Sequence, residues 1–124
     1  MIKEVRTSKA PQAIGPYSQA IETDEFVFLA GQIGIDPSTG DLVEGVENQT
    51  RQVMENIKAV LLAINLDLSN IVKTTIFLAN ISDFSKVNEI YSSYLTPPYP
   101  ARSTVSVKEL PKGALVEIEV IAKK

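Results

Sequence analysis

Two segments of this 124-residue chain repeat apolar residues at helical spacing, while about six others have the length and composition of strands. That imbalance constrains the fold more than any single motif. Over 47–64 the residues Val53, Ile57, Val60, Leu61 and Ile64 recur at steps of three and four, with Arg51, Gln52, Glu55, Asn56 and Lys58 on the other side. This pattern predicts an amphipathic helix. A second helix is expected to carry Phe84, Val87, Ile90, Tyr91, Tyr94 and Leu95 inward, with Ser82 or Asp83 as its cap and Pro97-Pro98 as its stop. Strand character marks 2–5, 20–22, 26–30, 71–79, 103–110 and 115–122, with Pro111-Lys112-Gly113 joining the last two. The predicted order is β-β-β-α-β-α-β-β, in one α+β domain spanning 1–124. Two helices can cover only one side of such a sheet. Yet 26–30 is apolar on both faces, and Val116, Ile118 and Val120 oppose a face carrying Leu115 and Ile121. An uncovered face that apolar is expected to lie against other subunits.

Composition narrows the partners. With 44% apolar and 22% charged residues the chain belongs among globular proteins rather than disordered ones. The net charge is −3 and no basic stripe is present, which argues against nucleic acid as the main partner. The longest apolar runs, at 26–30 and 59–64, are too short to span a bilayer, and residues 1–6 lack the apolar stretch of a signal peptide. No membrane association is expected, and a cytoplasmic location is. Histidine and cysteine are both absent. Chemistry must therefore come from carboxylates, arginine, hydroxyls, amides and bound water. The turn cluster at 36–41 has proline second and glycine fifth, which departs from a calcium loop, so no metal is expected.

Two charges stand out because apolar neighbours surround them. Arg102 lies in Pro100-Ala101-Arg102-Ser103-Thr104, and Glu117 in Leu115-Val116-Glu117-Ile118-Glu119. The strand period of two puts Glu117 and Glu119 on the face of Leu115 and Ile121. Two readings stay open at this point. Arg102 and Glu117 form a structural ion pair or are simply solvated, as isolated charges commonly are. Alternatively, Arg102 forks onto a ligand carboxylate, which its planar donors match, while Glu117 handles a water. Tyr17, in Ile14-Gly15-Pro16-Tyr17-Ser18-Gln19-Ala20, is either an aromatic plug or a pocket wall with a phenol to donate. Gly31, after Ala30, is either a bulge or a place where a ligand approaches the main chain. Ser18, Ser103 and Thr104 have no histidine partner, so a serine triad is excluded.

Taken together and in order, the segment around Tyr17, Gly31-Gln32-Ile33, Thr50-Arg51-Gln52 with Asn56-Ile57-Lys58, Val72-Lys73-Thr74-Thr75, Asp83-Phe84 with Val87-Asn88, Pro100-Ala101-Arg102-Ser103, and Leu110-Pro111-Lys112 with Glu117-Ile118-Glu119 resemble the Rid family of reactive intermediate deaminases, also called YjgF-like proteins. The similarity covers essentially the whole chain. It implies a chorismate-mutase-like fold, with a six-stranded mixed sheet and two helices on one face, assembled as a homotrimer with ligand clefts between subunits. It also implies hydrolysis of 2-imino acids such as 2-iminobutanoate and 2-iminopropanoate, and of their enamine tautomers, to 2-keto acids and ammonia without a cofactor. Such intermediates leave pyridoxal-phosphate enzymes acting on serine or threonine. By motif position Arg102 would bind the substrate carboxylate with the Thr104 backbone N–H, and Glu117 would activate the water near the Gly31 main chain. Tyr17 would line the cleft; Asn88 matches a recurrent position without an assigned step. Many active members have Ser-Gly-Gln-Ile-Pro where this chain has Ala30-Gly31-Gln32-Ile33-Gly34. Ala30 thus lacks a hydroxyl, and Gly34 is expected to loosen the residues after it. Thr104 replaces a common cysteine. Further functions are weighed beside the deaminase: a non-catalytic trimer that senses small keto or imino acids, and a protein-interaction or chaperone-like role or a ribonuclease activity, of which the acidic balance makes RNA cleavage the weakest.

Overall fold

A computed structural model describes residues 1–124. Its strands and helices are β1 (Lys3–Val5), β2 (Ala20–Glu22), β3 (Phe26–Ile33), α1 (Val46–Leu62), β4 (Ile71–Leu78), α2 (Phe84–Ser93), β5 (Ala101–Ser106) and β6 (Val116–Lys123), in the expected order. The six strands form one sheet in the order β1-β2-β3-β6-β4-β5. Every neighbouring pair is antiparallel except β4 and β5, which are parallel. A parallel pair needs a crossover, and α2 supplies it.

Both helices lie on one face, as the strand alternation requires. On β6 the residues Val116, Ile118, Val120 and Ala122 are buried, whereas Glu117 and Ile121 are half-buried and Glu119 exposed on the opposite face. Thr74, Ile76 and Leu78 of β4 and Val27 and Leu29 of β3 complete the floor of the core. Val53, Ile57, Val60 and Leu61 of α1 are fully buried above it, as their spacing predicts. The chain leaves α1 through a Schellman closure. Leu66 N–H donates to Leu61 O and Asn65 N–H to Leu62 O, both at 3.0 Å, with Asn65 at φ 61°.

Four expectations need correction. First, Asn56 is on the buried side of α1, not the solvent side. Beyond the register shift in β3 the chain has carbonyls without ladder partners, and Asn56 Nδ2 donates to Ile33 O at 3.3 Å and Ile35 O at 2.9 Å. Second, β5 is Ala101–Ser106 rather than 103–110, because its partner β4 ends at Leu78 and the final bond is Val107 N–H to Leu78 O at 2.9 Å. The Pro111–Gly113 turn joins β5 to β6, but these strands do not pair; β4 lies between them. Third, neither Ser82 nor Asp83 caps α2 through its side chain, since a 3₁₀ turn at Ile81–Asp83 leads straight into the helix. Fourth, Phe84 points outward and is 37% exposed.

Candidate functional site: two halves on opposite faces

The register shift between Leu29 and Gln32 in β3 brings Ile33 opposite Glu117 of β6. Such irregularities re-aim side chains, and here Gly31 comes against the carboxylate. A Cβ built on Gly31 would lie 2.9 Å from Glu117 Cδ and 3.1 Å from Cγ, so only glycine lets the carboxyl keep its place. Glu117 takes no hydrogen bond and has no ion-pair partner within the chain. Burial first, and the charge of Glu119 second, push its carboxyl above the usual carboxylate range.

This carboxyl opens into a cavity of about 360 Å³ whose wall includes Tyr17, Gln19, Gly31, Ile33 and Lys112. Gln19, missed at the sequence level, orders that wall. It is buried, its Oε1 accepts from Thr7 N–H at 2.8 Å, and its Nε2 donates to Pro11 O at 2.8 Å and Thr7 O at 3.0 Å. Its carbonyl accepts from Ala30 N–H at 3.0 Å, which ties residues 7–11 to β3. Tyr17 stands at the mouth, half exposed, with its N–H on Gly15 O at 2.8 Å. Ala30 does not line the cavity. Gly34 does not loosen the segment. It packs on α1 so closely that a Cβ would come 2.7 Å from Gln49 Cα, and its carbonyl accepts from Val43 N–H at 2.9 Å.

Arg102 sits elsewhere, on the edge strand β5 opposite Thr74. Its Nη1 donates to Asn88 Oδ1 at 2.6 Å. The guanidinium carbon lies 5.3 Å from the Tyr91 ring centroid and 5.5 Å from that of Phe84, within cation–π reach. Tyr91 is itself pinned, its hydroxyl 2.8 Å from Thr74 Oγ1. Asn88, Tyr91, Tyr99 and Arg102 border an open cavity of about 450 Å³. Thr104 follows on the same face, opposite Ile76, and its hydroxyl is buried without a partner. The helical spacing of Phe84, Asn88 and Tyr91 was the available signal for this cluster.

The halves do not meet within one chain. Thr74 pairs with Arg102 and Phe77 with Glu117, an odd separation that sends the two side chains to opposite faces. They are also about 10 Å apart along the strand. The ion-pair reading of Arg102 with Glu117 therefore fails, and no carboxylate lies within 4.0 Å of the guanidinium. The structure groups Tyr17, Gly31 and Glu117 on one side, and Asn88, Arg102 and Thr104 on the other.

The family model described as Endoribonuclease L-PSP matches residues 7–124. A 2-iminobutanoate/2-iminopropanoate deaminase of Homo sapiens is 49% identical, over 95% of this chain and 87% of its own length. The crystal structure of a conserved Rid family protein, YyfA from Yersinia pestis, superposes with a TM-score of 0.97 at 56% identity, covering all of both chains. That of E. coli TdcF with bound serine superposes with a TM-score of 0.94 at 40% identity, over 98% of each chain.

Proposed function

The chain belongs to the Endoribonuclease L-PSP family, the Rid or YjgF-like proteins, and we propose that it is a cofactor-independent imine deaminase. It hydrolyses 2-iminobutanoate, 2-iminopropanoate and related imines to 2-keto acids and ammonia, the activity named for a human relative of 49% identity. One observation carries the reading to this chain's own residues. Arg102 holds an oriented guanidinium for which the chain supplies no carboxylate.

In this reading the substrate carboxylate forks onto Arg102, with the Thr104 backbone N–H beside it. Water held by Glu117 against Gly31 attacks C2 of the protonated imine. As the C–O bond forms, Glu117 accepts a proton from the water and returns it to the amine; ammonia then leaves as the C=O bond closes, and Glu117 takes the remaining hydroxyl proton and passes it to the departing ammonia. A carboxyl with a raised pKa suits these transfers. A protonated imine is already electrophilic, so holding it beside a water at attack distance supplies much of the acceleration. Tyr17 lines the cleft, and Ala30 lies in the strand behind it without a chemical step.

Because the halves lie on opposite faces, a complete site requires the Glu117 half of one copy and the Arg102 half of another. We place the clefts between the subunits of a homotrimer. The uncovered sheet face, where Phe28 and Val105 are each 45% exposed, supports such packing, and contacts between unlike patches close naturally into rings. A cytoplasmic site of action belongs to the same proposal, since a reactive imine has to be intercepted where it is released. The net charge of −3 gives no support to RNA as the substrate.

The test is to generate 2-iminobutanoate in situ and follow its decay. Wild-type protein is expected to accelerate hydrolysis, and Arg102→Ala to lower kcat/KM roughly 10- to 100-fold, as loss of a charge-assisted contact predicts. No acceleration by the wild type, or an unimpaired variant, overturns the assignment. Binding of 2-ketobutyrate without turnover would make the protein a sensor of small carboxylates instead.

A further inference from the structure

We propose that Asn88 is the positioning residue for Arg102 and that its neutrality is what keeps the carboxylate receptor available. The inference rests on the reading of Arg102 given above and goes beyond it to how the receptor is set.

The guanidinium lies at an exposed strand edge, where a long side chain would ordinarily sample many rotamers. Three residues on one face of α2 restrain it. Phe84 and Tyr91 flank it with their rings, and Asn88, between them in sequence, takes its Nη1 hydrogen at 2.6 Å. Tyr91 is a fixed wall because it is buried and bonded to Thr74, which pairs with Arg102 across the sheet. The helix thus reads its own position into the arginine.

The chemistry of the acceptor matters as much as its place. An amide oxygen accepts one guanidinium hydrogen without cancelling the charge, leaving the other donors toward the cavity beside Tyr99. A carboxylate there would hold Arg102 equally well in geometry. It would also form an internal ion pair that a substrate carboxylate has to displace. The Asn88 side chain has no other hydrogen bond in the chain, so no structural bond competes with this role.

The experiment compares wild type, Asn88→Asp and Asn88→Ala by calorimetric titration with 2-ketobutyrate, by steady-state turnover of 2-iminobutanoate, and by thermal melting. Asn88→Asp is expected to weaken 2-ketobutyrate binding and raise KM roughly tenfold or more, with a smaller fall in kcat and no loss of Tm. Asn88→Ala, which loses orientation but adds no charge, should lie between it and wild type. Wild-type affinity in Asn88→Asp overturns the proposal, and so does an Asn88→Ala variant as weak as Asn88→Asp. Wild-type binding without turnover removes the deaminase reading alone, since the affinities still decide the role of Asn88. Neither binding nor turnover in the wild type removes both.

Discussion

Glu117 is the residue whose environment works against its own charge. Burial and Glu119 both favour its neutral form, so its folded pKa exceeds its unfolded one. The native state then binds the proton more readily. Its stabilising contribution is fully present below the ordinary carboxylate value and is lost as pH rises through the raised folded value. Glu117→Gln should therefore melt at or above the wild-type temperature at pH 7, with the difference shrinking toward pH 4. The same variant should lose roughly 10²–10⁴ in kcat. In the wild type the acid limb of the kcat/KM profile should lie above the ordinary carboxylate range. Melting curves and a pH–rate profile check both; a variant less stable than wild type at pH 7 contradicts the account. The sequence placed Glu117 on its face correctly, because the period of two is a local property. It did not reveal that Gly31 stands against the carboxyl, which depends on a register shift between strands far apart in the chain.

At the scale of elements, the course of β3 past its shift depends on α1. Asn56 takes up the Ile33 and Ile35 carbonyls, and Gly34 brings the chain against Gln49. Gln49 in turn accepts from Leu115 N–H at 2.8 Å, just before β6. One helix face thus sets the approach of both strands that frame Glu117. Asn56→Ala should destabilise the protein by about 1–3 kcal/mol, the cost of stranding the part-buried Ile35 carbonyl, while Ile33 O keeps the Ile35 N–H. It should also lower turnover by shifting Ile33, the register partner of Glu117. Urea unfolding measures the first effect, and a stability unchanged from wild type would deny Asn56 this role. Helical periodicity identified α1 but assigned Asn56 to solvent, since hydropathy alone cannot tell a satisfied buried amide from an exposed one.

For the whole molecule, the separation of Arg102 from Glu117 makes function a property of the assembly. Arg102→Ala and Glu117→Gln should each be impaired alone, by roughly 10- to 100-fold in kcat/KM and roughly 10²–10⁴ in kcat respectively. Co-expressed, they should regain activity, because a cleft pairing the intact Arg102 half of one chain with the intact Glu117 half of another forms in about a quarter of sites on random mixing. Activity of the purified mixed species no greater than that of either parent would rule out the shared cleft. Light scattering should report three copies of the 13.5 kDa chain.

By itself the sequence determined the element order, the helix-covered face of the sheet, and the residue types able to do chemistry. These come from local periodicity, from proline and turn residues, and from the absence of histidine and cysteine. The tertiary structure alone decided which charges meet. Strand order interposes β4 between Arg102 and Glu117, and the alternation along β4 sends them to opposite faces. Two residues that apolar neighbours had made look like partners are thereby separated, because pairing partners are chosen by long-range register that no local pattern encodes.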